Sequence, residues 1–213
     1  FFFPILLLKA IKLVKKNKPK MIIVMGGSIC IPFAIIGWLL RVPTLAFEQN
    51  VIPGRAIRVC QFFANKVITS FESTRKYLRM KNKVKCLGNP IRIDYPFTDH
   101  LPKEWQQIQE KTVLIIGGSQ GARAINQYII ENKKIIMESG WNIIHLTGNV
   151  FFNNKDEHYI VDCVGEKTYI ALPFLSNMKL AYEKASVVIS RSGATTLAEL
   201  NAYQIPALLI PYP

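Results

Sequence analysis

Short apolar segments of strand length recur along the chain and alternate with stretches of helical pattern. Strands are predicted near 21–25, 43–47, 67–69, 84–87, 112–116, 142–147, 168–172, 186–190 and 206–210. Helices are predicted near 31–40, 53–63, 121–137, 176–184 and 194–203. Repeated strand–helix alternation is typical of parallel sheets with helices on both faces. The pattern therefore predicts an α/β fold.

The alternation lapses between residues 89 and 111, where three prolines occur and no strand is evident. Proline-containing stretches without periodicity commonly separate domains. We place a boundary near residue 93, which gives an N-terminal domain of residues 1–93 and a C-terminal domain of residues 94–213. Each domain is long enough to form its own core.

Residues 21–40 are all uncharged, and a stretch of this length could span a membrane as one helix. Gly26, Gly27 and Pro32 interrupt it. The pieces on either side suit a buried parallel strand and a short apolar helix, and a further strand follows. The pattern favours a strand–helix–strand unit, with the transmembrane helix as the alternative.

The net charge of +13 is concentrated in the first half of the chain. Residues 1–100 contain 17 Lys and Arg against 4 Asp and Glu, whereas residues 101–213 contain 10 of each. The opening segment mixes bulky apolar side chains with six lysines before Met21, as interfacial amphipathic helices do. An anionic membrane surface is the expected partner. Nucleic acid is not expected, since no recognised binding motif occurs.

The four cysteines are far apart in the sequence and form no CxxC pair. Free thiols in a reducing cytosol fit this spacing, and neither a disulfide nor a zinc site is predicted. No DxD motif occurs either, so we expect no metal and no cofactor.

The stretch VLIIGGSQGARAINQ, residues 113–127, has the pattern of a strand, a glycine turn and the start of a helix. Unpaired amides and the helix dipole favour an anion at such a point. The alternative is a turn that needs glycine only for its backbone angles. A dinucleotide fingerprint would require G-x-G-x-x-G and an acidic residue after the next strand, but this chain has G-G-x-x-G and then HLTG at 145–148.

Five motifs occur in an order and spacing that resemble the MurG family of bacterial glycosyltransferases. They are FEQNVIPGRAIR at 47–58, GNPIR at 88–92, IIGGSQGARAINQ at 115–127, LPFLSNM at 172–178 and ISRSGATTLAEL at 189–200. The resemblance covers nearly the whole chain. This family adds N-acetylglucosamine to the undecaprenyl-linked muramyl-pentapeptide in peptidoglycan synthesis.

The resemblance implies a GT-B architecture of two Rossmann-like domains. It implies that the C-terminal domain binds UDP-N-acetylglucosamine, while the N-terminal domain offers the acceptor side and a membrane-facing surface. The enzyme would work peripherally at the cytoplasmic face of the bacterial inner membrane. Its reaction would be an inverting, metal-independent displacement that requires a base and stabilisation of the leaving diphosphate.

The resemblance also assigns roles to individual residues. Ser119 and the turn residues around it would face the phosphates, Arg92 could add a fixed charge, and Glu199 would accept hydrogen bonds from the ribose hydroxyls. The backbone at Leu175 would address the uracil ring, and Asn50 would lie near the donor sugar or the acceptor. The turn residues assigned to phosphate are Gly117, Gly118, Ser192 and Gly193. His100, His145 and His158 have no motif support and are interpreted as structural.

The chain departs from the family pattern at several positions. The glycine-rich loop that carries the family's candidate catalytic histidine would precede Phe1, and the Gln-containing loop that holds the donor sugar would follow Pro213. Phe47 stands where the family usually has histidine, and Ser28 where tyrosine is frequent. Both domains are therefore expected to be incomplete, and no catalytic residue is assigned. We expect nucleotide binding without turnover by this chain alone; a membrane-associated nucleotide-binding fragment and an NAD-dependent oxidoreductase are the alternatives.

Overall fold

The computed structural model describes residues 3–92, 99–109, 111–118, 122–148 and 158–211. Two compact units make up the chain, Phe1–Pro90 and Ile91–Pro213. The domain boundary expected near residue 93 falls in a segment outside the described residues.

The first unit is built on a four-stranded parallel sheet in the order β1-β2-β3-β4. Its strands are β1 (Ile22–Val24), β2 (Thr44–Glu48), β3 (Lys66–Thr69) and β4 (Val84–Cys86). Its helices are α1 (Phe3–Asn17), α2 (Cys30–Leu39) and α3 (Arg55–Phe63), with short 3₁₀ turns at Glu72–Tyr77 and Lys81–Lys83. The succession of strand, helix and adjacent parallel strand is the predicted one.

The uncharged stretch at 21–40 is divided between β1, a glycine turn and α2. Gly26 and Gly27 both have positive φ, at 112° and 78°, which ends the strand before a helix can form. Among the described residues, no helix combines the length and apolarity needed to cross a membrane. The strand–helix interpretation of this stretch is the correct one.

The core of the first unit lies between the helices and one face of the sheet. Val24, Ala46 and Val67 occupy adjacent strands and are almost fully buried. They pack with Ala34 and Ile36 of α2 and with further side chains of α1 and α3, namely Ala10, Val14, Ile57 and Cys60. Burial of this apolar surface fixes the strand ends at which polar loops emerge.

The second unit contains a six-stranded sheet in the order β10-β9-β5-β6-β8-β7. Its strands are β5 (Thr112–Ile116), β6 (Asn142–Leu146), β7 (Ile160–Val164), β8 (Lys167–Leu172), β9 (Val187–Arg191) and β10 (Ala207–Ile210). Its helices are α4 (Arg123–Glu138), α5 (Met178–Tyr182) and α6 (Ala194–Tyr203), and a 3₁₀ turn covers Lys103–Gln107. The two core clusters lie on opposite faces of the sheet, as a doubly wound fold requires.

Strand β7 departs from the prediction of purely parallel sheets. It forms an antiparallel hairpin with β8 at the edge of the sheet. Gly165, at φ 58°, and Glu166 connect the two strands. An antiparallel edge strand on an otherwise parallel sheet is common. The sequence IVDCV before this turn contains the strand signal, but the prediction did not include it.

The path of the chain through this sheet creates a topological switch point beside β5. After β5 the chain forms β6, β7 and β8, which all lie on one side of β5 in the order β6-β8-β7. After α5 it returns to β9 on the other side of β5. Ligands of open α/β sheets bind at the carboxyl ends of the strands on either side of such a switch. In this unit those ends are Ile116 and Arg191.

Candidate functional site

The turn after β5 has a backbone that requires both of its glycines. A Cβ atom at Gly117 would lie 2.9 Å from the amide nitrogen of Ala122 and 3.3 Å from the side-chain oxygen of Asn126. Gly118 has a φ of 81°, which side chains disfavour. The backbone explanation of the glycine pair therefore holds, and it is compatible with anion binding at the same turn. Ser119 lies outside the described residues, so its predicted contact with phosphate stays a prediction.

The turn after β9 is adjacent to the turn after β5. Ser190 pairs with Ile116 in the parallel register, so Ser192 and Gly118 extend from neighbouring strands at the same edge. Helices α4 and α6 begin after these turns, and their N-cap residues, Ala122 and Gly193, supply no side-chain cap hydrogen bond. The positive ends of two helix dipoles thus lie at the switch point, an arrangement suited to an anion.

Glu199 is held near the middle of α6 by a tyrosine from the preceding helix. The hydroxyl of Tyr182 donates to its Oε2 at 2.8 Å, and the ring of Tyr182 stacks on Tyr203 at 4.9 Å. Tyr182 is 2% exposed, whereas Glu199 is only partly buried. The carboxylate therefore has a fixed position with a solvent-facing part, as an acceptor for ligand hydroxyls would need.

Leu175 is buried in the core of the second unit, with 1% of its surface exposed. The amides of Ser176 and Asn177, the two residues after Leu175, donate to the two carboxylate oxygens of Asp99, each at 2.8 Å. The side chain of Leu175 is thus an anchor, and at this position only the backbone can address a ligand. Asp99 was missed by the sequence analysis because it precedes these amides by 77 and 78 residues and has no local signal.

The first unit contains a separate cleft of about 520 Å³ at the carboxyl edge of its sheet. It lies between the turn at Gly26–Ser28 and the start of α3. Glu48 and Asn50 line it, which places the predicted residue Asn50 on the cleft surface. Arg55, at the first turn of α3, adds a positive charge to the same lining.

Glu48 shapes this cleft from a buried position, with 4% of its surface exposed. Its Oε1 accepts from the backbone and side-chain nitrogens of Asn50 at 2.9 and 3.2 Å. Its Oε2 accepts from the amide of Gly54 at 2.8 Å. The carboxylate thus bridges both ends of the loop between β2 and α3. The neighbouring residue, Phe47, is buried and has no part in this bridge. The family usually has histidine at this position, and phenylalanine has no imidazole to replace it.

The remaining predicted residue, Arg92, is exposed and directly precedes the undescribed residues 93–98. Its predicted charge on the phosphates stays a prediction.

The three histidines occupy two kinds of environment. His145 is fully buried on β6, between Tyr169 and Asn126, and burial lowers its pKa to about 4. His100 and His158 are exposed and stack on each other with ring centroids 5.7 Å apart. Within the described ranges, no group of three or more His, Cys, Asp or Glu side chains is arranged to hold a metal ion.

The end of β6 argues against the dinucleotide alternative. A ribose-binding acidic residue belongs at the end of the second strand of such a unit. Here β6 ends at Leu146 and continues into Thr147 and Gly148, both without charge. The geometry therefore favours a nucleotide-sugar site over an NAD site.

Taken together, the parallel sheets and the switch point place the two units in the Rossmann-like class of α/β folds. The N-terminal domain model of glycosyltransferase family 28 matches residues 3–69, and its C-terminal domain model matches residues 112–213. The chain belongs to glycosyltransferase family 28, and the resemblance to the MurG family is confirmed.

Curated relatives carry one common name, UDP-N-acetylglucosamine–N-acetylmuramyl-(pentapeptide) pyrophosphoryl-undecaprenol N-acetylglucosamine transferase. The Prochlorococcus marinus (strain MIT 9215) protein is 33% identical over 95% of this chain and 54% of its own length. The Halothermothrix orenii protein is 36% identical over 97% of this chain and 58% of its own length. The chain therefore spans about half the length of the curated relatives it matches.

Solved structures support the fold. MurG of Acinetobacter baumannii matches with a TM-score of 0.66 at 22% identity, covering 97% of this chain and 57% of that one. A UDP-GlcNAc 2-epimerase of Methanocaldococcus jannaschii, in complex with UDP-GlcNAc and UDP, matches with a TM-score of 0.58 at 14% identity, covering 96% and 63%. The predicted GT-B fold class is confirmed.

We expect Glu48→Gln to lower the free energy of unfolding of the first unit by about 1–3 kcal/mol. The carboxylate accepts three hydrogen bonds, and the amide nitrogen of glutamine would face a donor instead of accepting from it. Urea denaturation followed by tryptophan fluorescence measures the change. Glu72→Gln is the matched control because Glu72 is exposed; equal effects of the two substitutions would contradict the bridging role of Glu48.

The burial of His145 predicts a pH-dependent stability. Its folded pKa of about 4 lies below the ordinary 6.5, so between these values the unfolded chain binds a proton that the folded chain does not. The free energy of unfolding should therefore fall by about 3 kcal/mol as the pH is lowered from 6.5 to 4. Urea titrations across this range measure it. His145→Gln should remove this contribution, and an unchanged pH dependence in that variant would contradict the assignment.

Proposed function

We propose that this chain carries the donor-binding part of a transferase that moves N-acetylglucosamine from UDP-N-acetylglucosamine to the undecaprenyl-diphosphate-linked muramyl-pentapeptide. The observation that carries the proposal is the pair of helix N-termini placed side by side at the switch point of the second unit, with Glu199 at the predicted offset in α6. This hexosyl transfer is the one that the relatives' printed names describe, and we infer that it serves peptidoglycan synthesis.

Sequence identity selects the transferase over other activities of the same fold. The UDP-N-acetylglucosamine 2-epimerases in the structural comparison share the fold at 9–14% identity, so architecture alone does not separate the two activities. The curated relatives that are named as transferases match at 30–36% identity along nearly the whole chain. The five ordered motifs, rather than the sheet topology, support the choice of reaction.

The chemistry of the donor site follows from its backbone. UDP leaves with developing negative charge on its diphosphate, and the amides at the starts of α4 and α6 supply positive potential there. Ser119 adds a hydroxyl donor at the same turn, and Glu199 orients the ribose. The backbone beyond Leu175, fixed by Asp99, provides donors and acceptors for the uracil edge.

The cleft of the first unit is the proposed acceptor side. Arg55 and the amides at the start of α3 favour an anionic group, and the glycines of the opposite turn leave space for it. Asn50, held by Glu48, presents its side chain to a sugar hydroxyl. The catalytic base that an inverting displacement needs is not assigned to any described residue.

We further propose that α1 attaches the protein peripherally to the anionic cytoplasmic face of the inner membrane. Leu8 is 69% exposed, and Phe3, Ile5 and Leu13 are each close to half exposed. Ala10 and Val14 face the core, so the helix is anchored to the protein while it presents these apolar side chains. The exposed lysines of the same segment supply attraction to anionic lipid: Lys9, Lys12, Lys15, Lys16, Lys18 and Lys20.

Binding of the donor nucleotide is expected to be selective. UDP or UDP-N-acetylglucosamine should bind more tightly than NAD, and Glu199→Ala should weaken UDP binding by about 1–3 kcal/mol because two ribose hydroxyls lose a charged acceptor. Isothermal titration calorimetry measures both effects. Glu183→Ala is the control, since Glu183 is exposed and pairs only with Lys179 at i,i+4 among the described residues.

Two outcomes would contradict the donor site. Equal or tighter binding of NAD would exclude the nucleotide-sugar assignment, and an unchanged affinity in folded Glu199→Ala would return Glu199 to an ordinary surface residue. Transfer is followed separately, as incorporation of labelled N-acetylglucosamine into the lipid-linked acceptor. Binding of UDP without transfer of N-acetylglucosamine supports the donor site. The acceptor chemistry would then depend on the further length of the family's proteins.

Association with vesicles should depend on charge. Binding should rise with the fraction of phosphatidylglycerol and fall with salt, since each lysine near the surface contributes about 1 kcal/mol. Lys12→Glu with Lys16→Glu should weaken sedimentation with vesicles at least about tenfold. The control, Lys134→Glu with Lys179→Glu, makes the same charge change on the second unit. Retention that resists salt, or equal loss in both double variants, would contradict a peripheral contact through α1.

A further inference from the structure

A chain of buried hydrogen bonds runs beneath the glycine turn of the second unit. The side-chain nitrogen of Asn126 donates to the carbonyl of Thr147 at 2.7 Å, and its oxygen lies 3.0 Å from Nε2 of His145. The Nδ1 atom of His145 lies 3.1 Å from the hydroxyl of Tyr169. All four residues are at most 5% exposed.

The direction of every hydrogen bond in this network follows from one carbonyl. The backbone oxygen of Thr147 can only accept, so the amide nitrogen of Asn126 faces it and the amide oxygen faces His145. His145 therefore carries its proton on Nε2, and its unprotonated Nδ1 accepts from Tyr169. With a neutral imidazole at His145, every polar group between the hydroxyl of Tyr169 and the carbonyl of Thr147 has a hydrogen-bond partner. Burial, which lowers the pKa of His145 to about 4, keeps the ring neutral.

The network joins three elements of the second unit, α4, β6 and β8. Asn126 lies in the first turns of α4, His145 is on β6 and Tyr169 is on β8. The oxygen of Asn126 is also the side-chain atom closest to the Cβ position that Gly117 leaves empty, at 3.3 Å. The amide of Gly117 donates to Leu146 at 3.1 Å. The start of α4 is thus held at a fixed height against β5 and β6 by directional bonds.

A second contact holds α4 two turns farther along, on the same face. Lys133 lies 4.8 Å from the ring centre of Tyr169 and forms an ion pair with Asp162 on β7. Tyr169 is therefore fixed by its hydroxyl from one side and by a cation over its ring from the other. Apolar packing alone would permit a helix to slide or rotate, whereas these directional contacts select one placement.

We propose that Asn126, His145 and Tyr169 are positioning residues that hold the N-terminus of α4 and the glycine turn where they meet the donor diphosphate. This inference rests on the proposed function for the identity of the ligand. The amides that the network positions are those that would stabilise the leaving UDP, so a displaced helix start would misalign them. None of the three side chains contacts the ligand in this scheme.

The test compares three substitutions on strand β6. His145→Leu removes both hydrogen bonds, whereas His145→Gln keeps one donor and one acceptor at the same site. Ile144→Val is the control for packing, because Ile144 is fully buried and its side chain lies on the opposite face of the sheet. We expect UDP affinity to fall about tenfold in His145→Leu, equivalent to the loss of about one hydrogen bond, and to recover largely in His145→Gln.

Two readouts do not depend on the ligand. Hydrogen exchange of peptides spanning residues 113–127 should accelerate in His145→Leu and not in Ile144→Val. The ¹⁵N spectrum of the wild-type protein should show the Nε2-protonated tautomer of His145. Equal exchange in the leucine and valine variants, or a proton on Nδ1, would overturn the positioning role.

The ligand readout separates this inference from the proposed function. If the wild-type chain binds no UDP, the donor proposal fails, while exchange and tautomer still decide whether the network holds the turn. If the wild-type chain binds UDP and His145→Leu binds it equally well, the donor proposal stands and the positioning role is wrong.

Discussion

The close approach of α4 to the end of β5 at Gly117 is the constraint on which the candidate donor site depends. No side chain fits at that position, because the amide of Ala122 and the carboxamide of Asn126 occupy the space. The helix can therefore begin directly above the strand, and its first amides point into the turn. Because residue 117 has no side chain, the backbone dipoles at the start of α4 come close to the place where a diphosphate would lie. In other anion sites a charged side chain has this role.

The order of the strands then places a second helix N-terminus, that of α6, beside the first. Strand β9 returns to the free side of β5, and its register sets the turn after Arg191 beside the turn after Ile116. In the proposed donor site, two helix N-termini would therefore face one diphosphate. Glu199 is positioned by the same geometry, because α6 has to begin at the end of β9.

The sequence predicted the features that are local in the chain. Strand and helix positions, the glycine turns and the broken stretch at 21–40 all follow from periodicity and from residues a few positions apart. Asp99, Glu48 and His145 escaped prediction because their roles arise from contacts that only folding creates. Asp99 caps amides 77 and 78 residues away, and His145 meets partners 19 and 24 residues away. The sequence analysis interpreted His145 as structural, but its part in the network had no sequence signal.

The first unit raises a different physical question, which concerns the second face of its sheet. Ile22 and Val24 are buried by the helices, whereas Ile23 between them is 61% exposed and Met25 is 56% exposed. Parallel sheets are ordinarily covered on both faces. In the described part of this unit the helices pack against one face, and the apolar residues of β1 on the other remain open to solvent. The second unit is different, because its sheet has a core cluster on each face. The residues of the proposed nucleotide site therefore rest on a core inside the second unit itself, and their placement does not depend on how the open face of the first unit is covered.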